Sequence, residues 1–222
     1  ELYYGEGEYQ GALEYYEKCR DARLAIVALD PSNLPRQRDL GVAYEKVALT
    51  LAAMGEADKA LEVHKTVLEL RRQTAAADPT VAQYSRDVTF TLLQMAEVLR
   101  GKGDQAGALP LMAEAVSLRE AILQAAPDDF DTLRDTTIAQ NQYVAALMET
   151  GDYATAVPVG QASVAVVERM LAQRPNDKET LRDKVVAANR LGDALKGAGD
   201  LEGALAAFQA MGAAGYALVS AD

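Results

Sequence analysis

Tryptophan is absent from the 222 residues, and the chain carries only three phenylalanines, one histidine and one cysteine. A lone Cys19 excludes an internal disulfide and cannot by itself build a zinc site, and it fits a reducing compartment. Basic charge is also scarce: 22 Lys and Arg stand against 33 Asp and Glu, a net −11 with a pI near 4.6. General nucleic-acid binding needs excess cation to displace counterions from phosphate, so that class is excluded, and acidic membranes are disfavoured for the same reason. No apolar run is expected to reach bilayer-crossing length. The opening ELYYGEGEYQ shows no basic start followed by an apolar stretch, so no leader is expected and a cytoplasmic location is anticipated. What remains is a chain half apolar, rich in Ala and Leu, a composition suited to closely packed helices.

The organising feature is repetition. Gly7, Gly55, Gly103, Gly151 and Gly199 stand 48 residues apart and open the phrases GEYQGAL, GEADKAL, GDQAGAL, GDYATAV and GDLEGAL. Ala12, Ala60, Ala108, Ala156 and Ala204 follow at one offset, and Leu13, Leu61, Leu109, Val157 and Leu205 at the next. Pro31, Pro79, Pro127 and Pro175 keep the same step, as do the pairs Arg38-Asp39, Arg86-Asp87, Arg134-Asp135 and Arg182-Asp183, then Leu51, Leu99, Leu147 and Leu195. No insertion breaks the register. A period of this length marks an array of one supersecondary unit, whose core grows along one axis.

From proline to glycine the unit reads as a helix, A. Ser32, Thr80, Asp128 and Asn176 follow the prolines and are expected N-caps, with Gln83 and Glu179 completing capping boxes. Leu40, Ala43, Tyr44, Val47, Ala48 and Leu51 recur at helical spacing, and the glycine ends the helix in the left-handed conformation. The next residue, Glu8, Glu56, Asp104, Asp152 or Asp200, caps a second helix, B, that runs to the following proline. The expected layout is a leading B helix at 8–30 and A–B pairs at 32–77, 80–125, 128–173 and 176–221. A remnant of an earlier A helix is expected at Glu1 to Gly5, as in a piece of a larger protein.

These residues resemble the tetratricopeptide repeat. Its small residue inside helix A corresponds to Ala48, Ala96, Val144 or Gly192, and its helix-B alanine to Ala12 and its copies. The aromatic slot holds Tyr16, His64, Met112, Gly160 and Phe208, and a second small slot Cys19, Val67, Ala115, Ser163 and Met211. The ordinary unit has about 34 residues. The surplus amounts to roughly two turns on each helix, which keeps the packing faces in place. The pattern is similar to a longer variant found in large bacterial multidomain proteins, often joined to protease-like, kinase or ATPase domains. The resemblance implies an all-α, right-handed α-solenoid of antiparallel helix pairs, forming one superhelical repeat domain over 1–222. It implies a protein–protein interaction scaffold that takes a peptide or protein segment on its concave face, without catalysis or cofactor.

In such a superhelix the A helices line the inner wall. The 48-residue step then yields candidate rows: Arg38, Arg86, Arg134 and Arg182; Val42, Phe90, Ile138 and Val186; Glu45, Leu93, Asn141 and Asn189; Leu49, Glu97, Ala145 and Asp193. Arginines beside apolar residues suit an acidic or carboxylate-bearing peptide, and Asn141 and Asn189 an extended backbone. The Arg-Asp pairs equally suit a charge ladder between repeats, and the apolar row equally suits repeat-to-repeat packing.

Other conspicuous residues point to structure. His64 fills a packed helix position, Cys19 a small-residue slot, and Asp128, Asp129 and Asp131 lack the following glycine and glutamate of a calcium loop. The partner expected is a protein or peptide. A second reading makes the array an oligomerisation arm of a larger enzyme or signalling protein. The last helix, LEGALAAFQAMGAAGYALVSAD, is apolar enough to suit a homodimer or an attached domain.

Overall fold

The computed structural model describes residues 8–220. The expected A-helix remnant at Glu1 to Gly5, the first glycine of the series, Gly7, and the last residue of the fourth pair lie outside them. Among the described residues there are nine helices and no strand: α1 (Tyr9–Leu29), α2 (Leu34–Ala53), α3 (Ala57–Ala77), α4 (Ala82–Gly101), α5 (Gln105–Ala125), α6 (Phe130–Thr150), α7 (Tyr153–Gln173), α8 (Lys178–Gly197) and α9 (Leu201–Ser220). Even-numbered helices are of type A and odd-numbered ones of type B. The fold class is an all-α solenoid of antiparallel helix pairs. The chain forms two compact units, Glu1–Leu111 and Met112–Asp222.

Each A-to-B turn is built the same way. The amide one residue past the glycine bonds to the carbonyl of the periodic leucine: Glu56 to Leu51, Asp104 to Leu99 and Asp200 to Leu195 at 2.9 Å, Asp152 to Leu147 at 3.0 Å. The glycine amide reaches the carbonyl three residues back, completing a Schellman closure. That geometry requires a left-handed residue, and Gly55, Gly103, Gly151 and Gly199 have φ of 79°, 82°, 77° and 88°. The leucine–glycine spacing seen in the sequence is therefore one hydrogen-bonded motif. Space is not the constraint, since a Cβ on any of the four meets nothing within 4 Å. Gly103→Ala is expected to cost about 1–2 kcal/mol through backbone strain alone. Gly101→Ala, two residues earlier inside α4 and equally open, should gain up to about 1 kcal/mol. Urea unfolding of the two variants checks the opposite signs.

Helix capping departs from the expectation in an instructive way. The A-helix caps fall one residue later than Ser32, Thr80, Asp128 and Asn176. Asn33 accepts from the Arg36 amide at 3.1 Å, Asp129 from Thr132 at 2.8 Å and Asp177 from Thr180 at 2.9 Å, while Val81 occupies the place in α4. The residue before Pro31, Pro79 and Pro175 is held out of the helical region, with φ of −150° at Asp30, −142° at Asp78 and −138° at Arg174. The residue just after proline therefore remains in the turn. The capping boxes do not form: Thr80 bonds back to Asp78, Gln83 forward to Asp87, and Glu179 across to Arg134. At the B helices Asp104, Asp152 and Asp200 each accept a first-turn amide at 2.9, 3.1 and 2.9 Å. Glu8 and Glu56 make no such bond, because the longer side chain carries its oxygens past the first turn.

The small positions are core. Ala12, Ala60, Ala108, Ala156 and Ala204 are buried, as are Ala48, Ala96 and Val144. Gly192 is small by necessity, since a Cβ there would lie 2.5 Å from the Phe208 ring. In the first unit Leu13, Val47, Leu51 and Ala60 form one cluster across α1, α2 and α3. In the second, Leu123, Phe130, Leu133, Val166 and Met170 join α5, α6 and α7, and Leu195, Ala204 and Ala207 join α8 to α9. A helices also pack on one another, α2 on α4 and α6 on α8, with no packing of that extent between α1 and α3 or α7 and α9.

Candidate interaction face

Two arginines of the Arg-Asp pairs, Arg38 and Arg134, reach forward to the next repeat. In the first unit Arg38 Nε donates to Asp87 Oδ2 at 2.6 Å, with Nη2 to Oδ1 at 3.4 Å. In the second unit Arg134 lies 3.4 Å from Asp183, 2.6 Å from Glu179 and 3.6 Å from Asp177. Both links span 49 residues, one repeat and one residue. The hydrogen bond it donates to Asp87 holds the Arg38 guanidinium above its ordinary pKa. Burial holds the Asp183 carboxyl above the usual carboxylate range, against the pull of Arg134. The charge ladder is thus present at both sites. Arg182 is exposed and makes no ion pair among the described residues.

A second arginine row escaped the reading of the sequence. Arg23, Arg71 and Arg119 stand 48 apart on the B helices, and each reaches the aspartate of the following A helix. Arg23 donates to the Asp39 carbonyl at 2.7 Å and Arg71 to the Asp87 carbonyl at 3.1 Å, while Arg119 meets the Asp135 carboxylate at 2.6 Å. Arg71 goes further, bonding Thr91 Oγ1 at 2.7 Å and Glu45 Oε2 at 2.5 Å in a buried setting. Asp87 in turn accepts from Arg38 and from Gln83. Applying the 48-residue step to helix B would have exposed this row.

The remaining candidates divide sharply. Phe90 in the first unit, and Ile138 and Val186 in the second, are exposed to 38%, 43% and 41%, whereas Val42 is half-buried. Three of the four members of this A-helix row thus keep large apolar side chains in solvent at one repeat position. Leu93 and Arg86 are half-buried, and Asn189 is exposed with its amide 3.3 Å from Asp193. Asn141 does not belong on an open face. It is buried, its side-chain oxygen accepts from Ser163 at 3.0 Å, and its carbonyl is taken by Arg190. Glu45, from the same row, is committed to Arg71.

His64 is fully buried, and neither ring nitrogen has a partner. Burial, helped by the charge on Arg71, lowers its pKa to about 4, so the ring is neutral near pH 7. Cys19 is half-buried and free. One expectation is overturned: α9 is 20 residues long with a mean hydropathy of 1.2, long and apolar enough to cross a membrane by length and composition, and only 17% of it is buried.

With this geometry in view, comparison places the chain. A family model described as tetratricopeptide repeat matches residues 91–131, from α4 through α5. No curated protein matches in sequence. Among solved structures, a putative kinesin light chain of nearly identical TPR-like repeats from Podosopora anserina superposes with a TM-score of 0.66 at 18% identity, over 96% of this chain and 90% of that one. A variant of that same protein gives the same score and identity, with 96% and 89% covered. A structure of MamA reaches 0.49 at 15% identity, over 97% and 93%. The family model over residues 91–131 and the superposition on TPR-like repeats give the chain a helical-repeat fold like that of the tetratricopeptide repeats.

Proposed function

We propose that the chain is a non-enzymatic scaffold that docks protein on its A-helix face, with Phe90 as the apolar contact of the first unit and Ile138 and Val186 as those of the second. The tetratricopeptide fold is generally a protein–protein interaction scaffold, which supports the class. The observation that carries the finer reading is the periodic exposure of that row. Repeat packing does not consume it, while the arginines beside it are largely spent on the ladder. Closer packing among A helices than among B helices supports placing the row on the inner side of each unit. The segment it suits is apolar, with Arg182 and Asn189 beside Val186 supplying a charged and a polar contact. The net −11 disfavours nucleic acid, and a cytoplasmic setting fits the single free cysteine. The terminal helices form a second contact region, for another copy or an attached domain.

Phe90→Glu and Ile138→Glu, tested singly, should each weaken binding of the physiological partner more than tenfold in a purified binding assay, because a carboxylate is costly at a desolvated contact. Helical circular dichroism should be unchanged, since both side chains are already in solvent. Arg38→Ala should instead lower stability, by about 1–2 kcal/mol for a half-buried charged hydrogen bond, and leave binding intact. Equal binding by wild type and both glutamate variants would refute the inner-face reading.

A further inference from the structure

In the second unit a cavity of about 380 Å³ is lined from α5, α6 and α7. Its apolar wall includes Leu123 of α5 and Val166 of α7, both members of the core cluster of that unit. Around this wall the residue types leave the period. Gln124 stands where the other copies carry Ala28, Ala76 and Ala172, and Arg169 where they carry Ala25, Gln73 and Ala121. Gln140 of α6 replaces Tyr44, Leu92 and Ala188. In an array whose buried positions are set by stacking, polar residues that break the period around one cavity answer to something other than stacking.

Gln140 is 1% exposed. Its Nε2 donates to Glu120 Oε1 at 3.0 Å, while its own side-chain oxygen meets no donor. That bond fixes the amide, since the reverse orientation would set two acceptors against each other. A buried acceptor left unmet lowers stability, and the leucine of the preceding repeat, Leu92, fills the same slot without that cost. What the amide supplies instead is the placement of the Glu120 carboxylate at the cavity wall. Glu120 is half-buried and makes no ion pair among the described residues. Arg169 of α7 is exposed, is anchored by a hydrogen bond from Nη2 to the Pro127 carbonyl, and likewise makes no ion pair among them. The cavity therefore presents one carboxylate and one guanidinium that do not neutralise each other, beside an apolar wall.

We propose that this cavity binds a small zwitterion, a molecule with an ammonium group at one end of a short apolar chain and a carboxylate at the other. The ammonium meets Glu120, and the carboxylate takes N–H groups of Arg169 that the Pro127 carbonyl leaves unused. The methylenes lie on Leu123 and Val166. Gln140 is a positioning residue, acting on the ligand through Glu120. A plain cation would be repelled by Arg169 and a plain anion by Glu120, so recognition needs both charges on one molecule. The volume is at the small end of ligand cavities and suits a molecule of amino-acid size. Ile138 and Val186 do not line the cavity, so this site and the docking contacts above stand or fall separately.

Isothermal titration calorimetry of the whole chain with 5-aminopentanoate should show one saturable site with a Kd of about 1 mM, the range that so few non-hydrogen atoms reach. Pentylamine and pentanoate, each carrying one of the two charges, should bind at least tenfold more weakly. Glu120→Gln and Arg169→Gln should each weaken 5-aminopentanoate binding at least tenfold with helicity unchanged, whereas Ile138→Glu should bind it as the wild type does. Gln140→Leu should weaken binding as well, yet raise the urea midpoint, because it removes the unmet acceptor. An amide present for packing alone would give the reverse, a lower midpoint with binding unchanged, and that result overturns its positioning role. No saturable binding of 5-aminopentanoate, equal binding of the three probes, or full binding by both Glu120→Gln and Arg169→Gln overturns the proposal.

Discussion

Glu45→Ala is expected to destabilise the first unit by about 3–5 kcal/mol, the range for removing one partner from a buried ion pair. Arg71 is 4% exposed, and its guanidinium is held by Glu45, Thr91 and the Asp87 carbonyl. Without Glu45 the positive charge stays buried with only neutral acceptors. Exposed pairs such as Lys65–Glu62 contribute at most about 1 kcal/mol, so Glu62→Ala serves as the control. Replacing both partners, Glu45→Leu with Arg71→Met, should recover most of the loss, since it removes the charge along with its counterion. Equilibrium urea unfolding followed by circular dichroism gives all four values. A loss at Glu45 no larger than that at Glu62 would show that the Arg71 cluster does not hold α2, α3 and α4 together.

His64 supplies the second large effect, and it depends on pH. The folded pKa of about 4 lies below the ordinary 6.5. Between those values the unfolded chain binds a proton that the folded chain refuses. Stability attributable to His64 is therefore fully present above about pH 6.5 and is lost as pH falls towards 4, by at most about 3 kcal/mol. His64→Met places there the residue that Met112 already carries at the same repeat position. It also removes two buried, unpartnered nitrogens. The variant should be more stable than wild type at pH 7.5, and the advantage should widen at pH 4.5. Thermal melts at both pH values isolate the effect, because carboxylate titration is common to the two proteins. An advantage that does not change with pH would mean that the imidazole is not held neutral by burial.

The fold was legible because its constraints are local and repeated. A glycine that must be left-handed, a proline that must end a helix and an alanine that must be small leave marks at fixed residue types. Four Schellman turns and the buried alanine positions follow from those marks. Cap positions slipped by one residue because proline's hold on its predecessor shifts the whole turn, an effect that residue preference at the cap does not encode. The face was less legible, because exposure depends on which neighbour a side chain reaches. Phe90, Ile138 and Val186 could be aligned from the period, yet nothing in their types distinguished a solvent-facing row from a packed one. Asn141 shows the reverse: an ordinary interaction residue by type, it is buried because Ser163 and Arg190 reach it. The row of Arg23, Arg71 and Arg119, buried at the last two, was missed because arginine on a helix reads as surface until its partner in the next repeat is seen.

Site-specific photo-crosslinking addresses the central claim most directly. A benzophenone side chain at Ile138 or at Val186 of the second unit should crosslink one and the same partner segment, identified by mass spectrometry, and Ile138→Glu should abolish the adducts at Val186. The same probe at the exposed B-helix positions Lys65 and Gln161 should give none. Adducts of that segment at Lys65 or Gln161 but not at the A-helix row would contradict the account, placing the docking surface on the B helices.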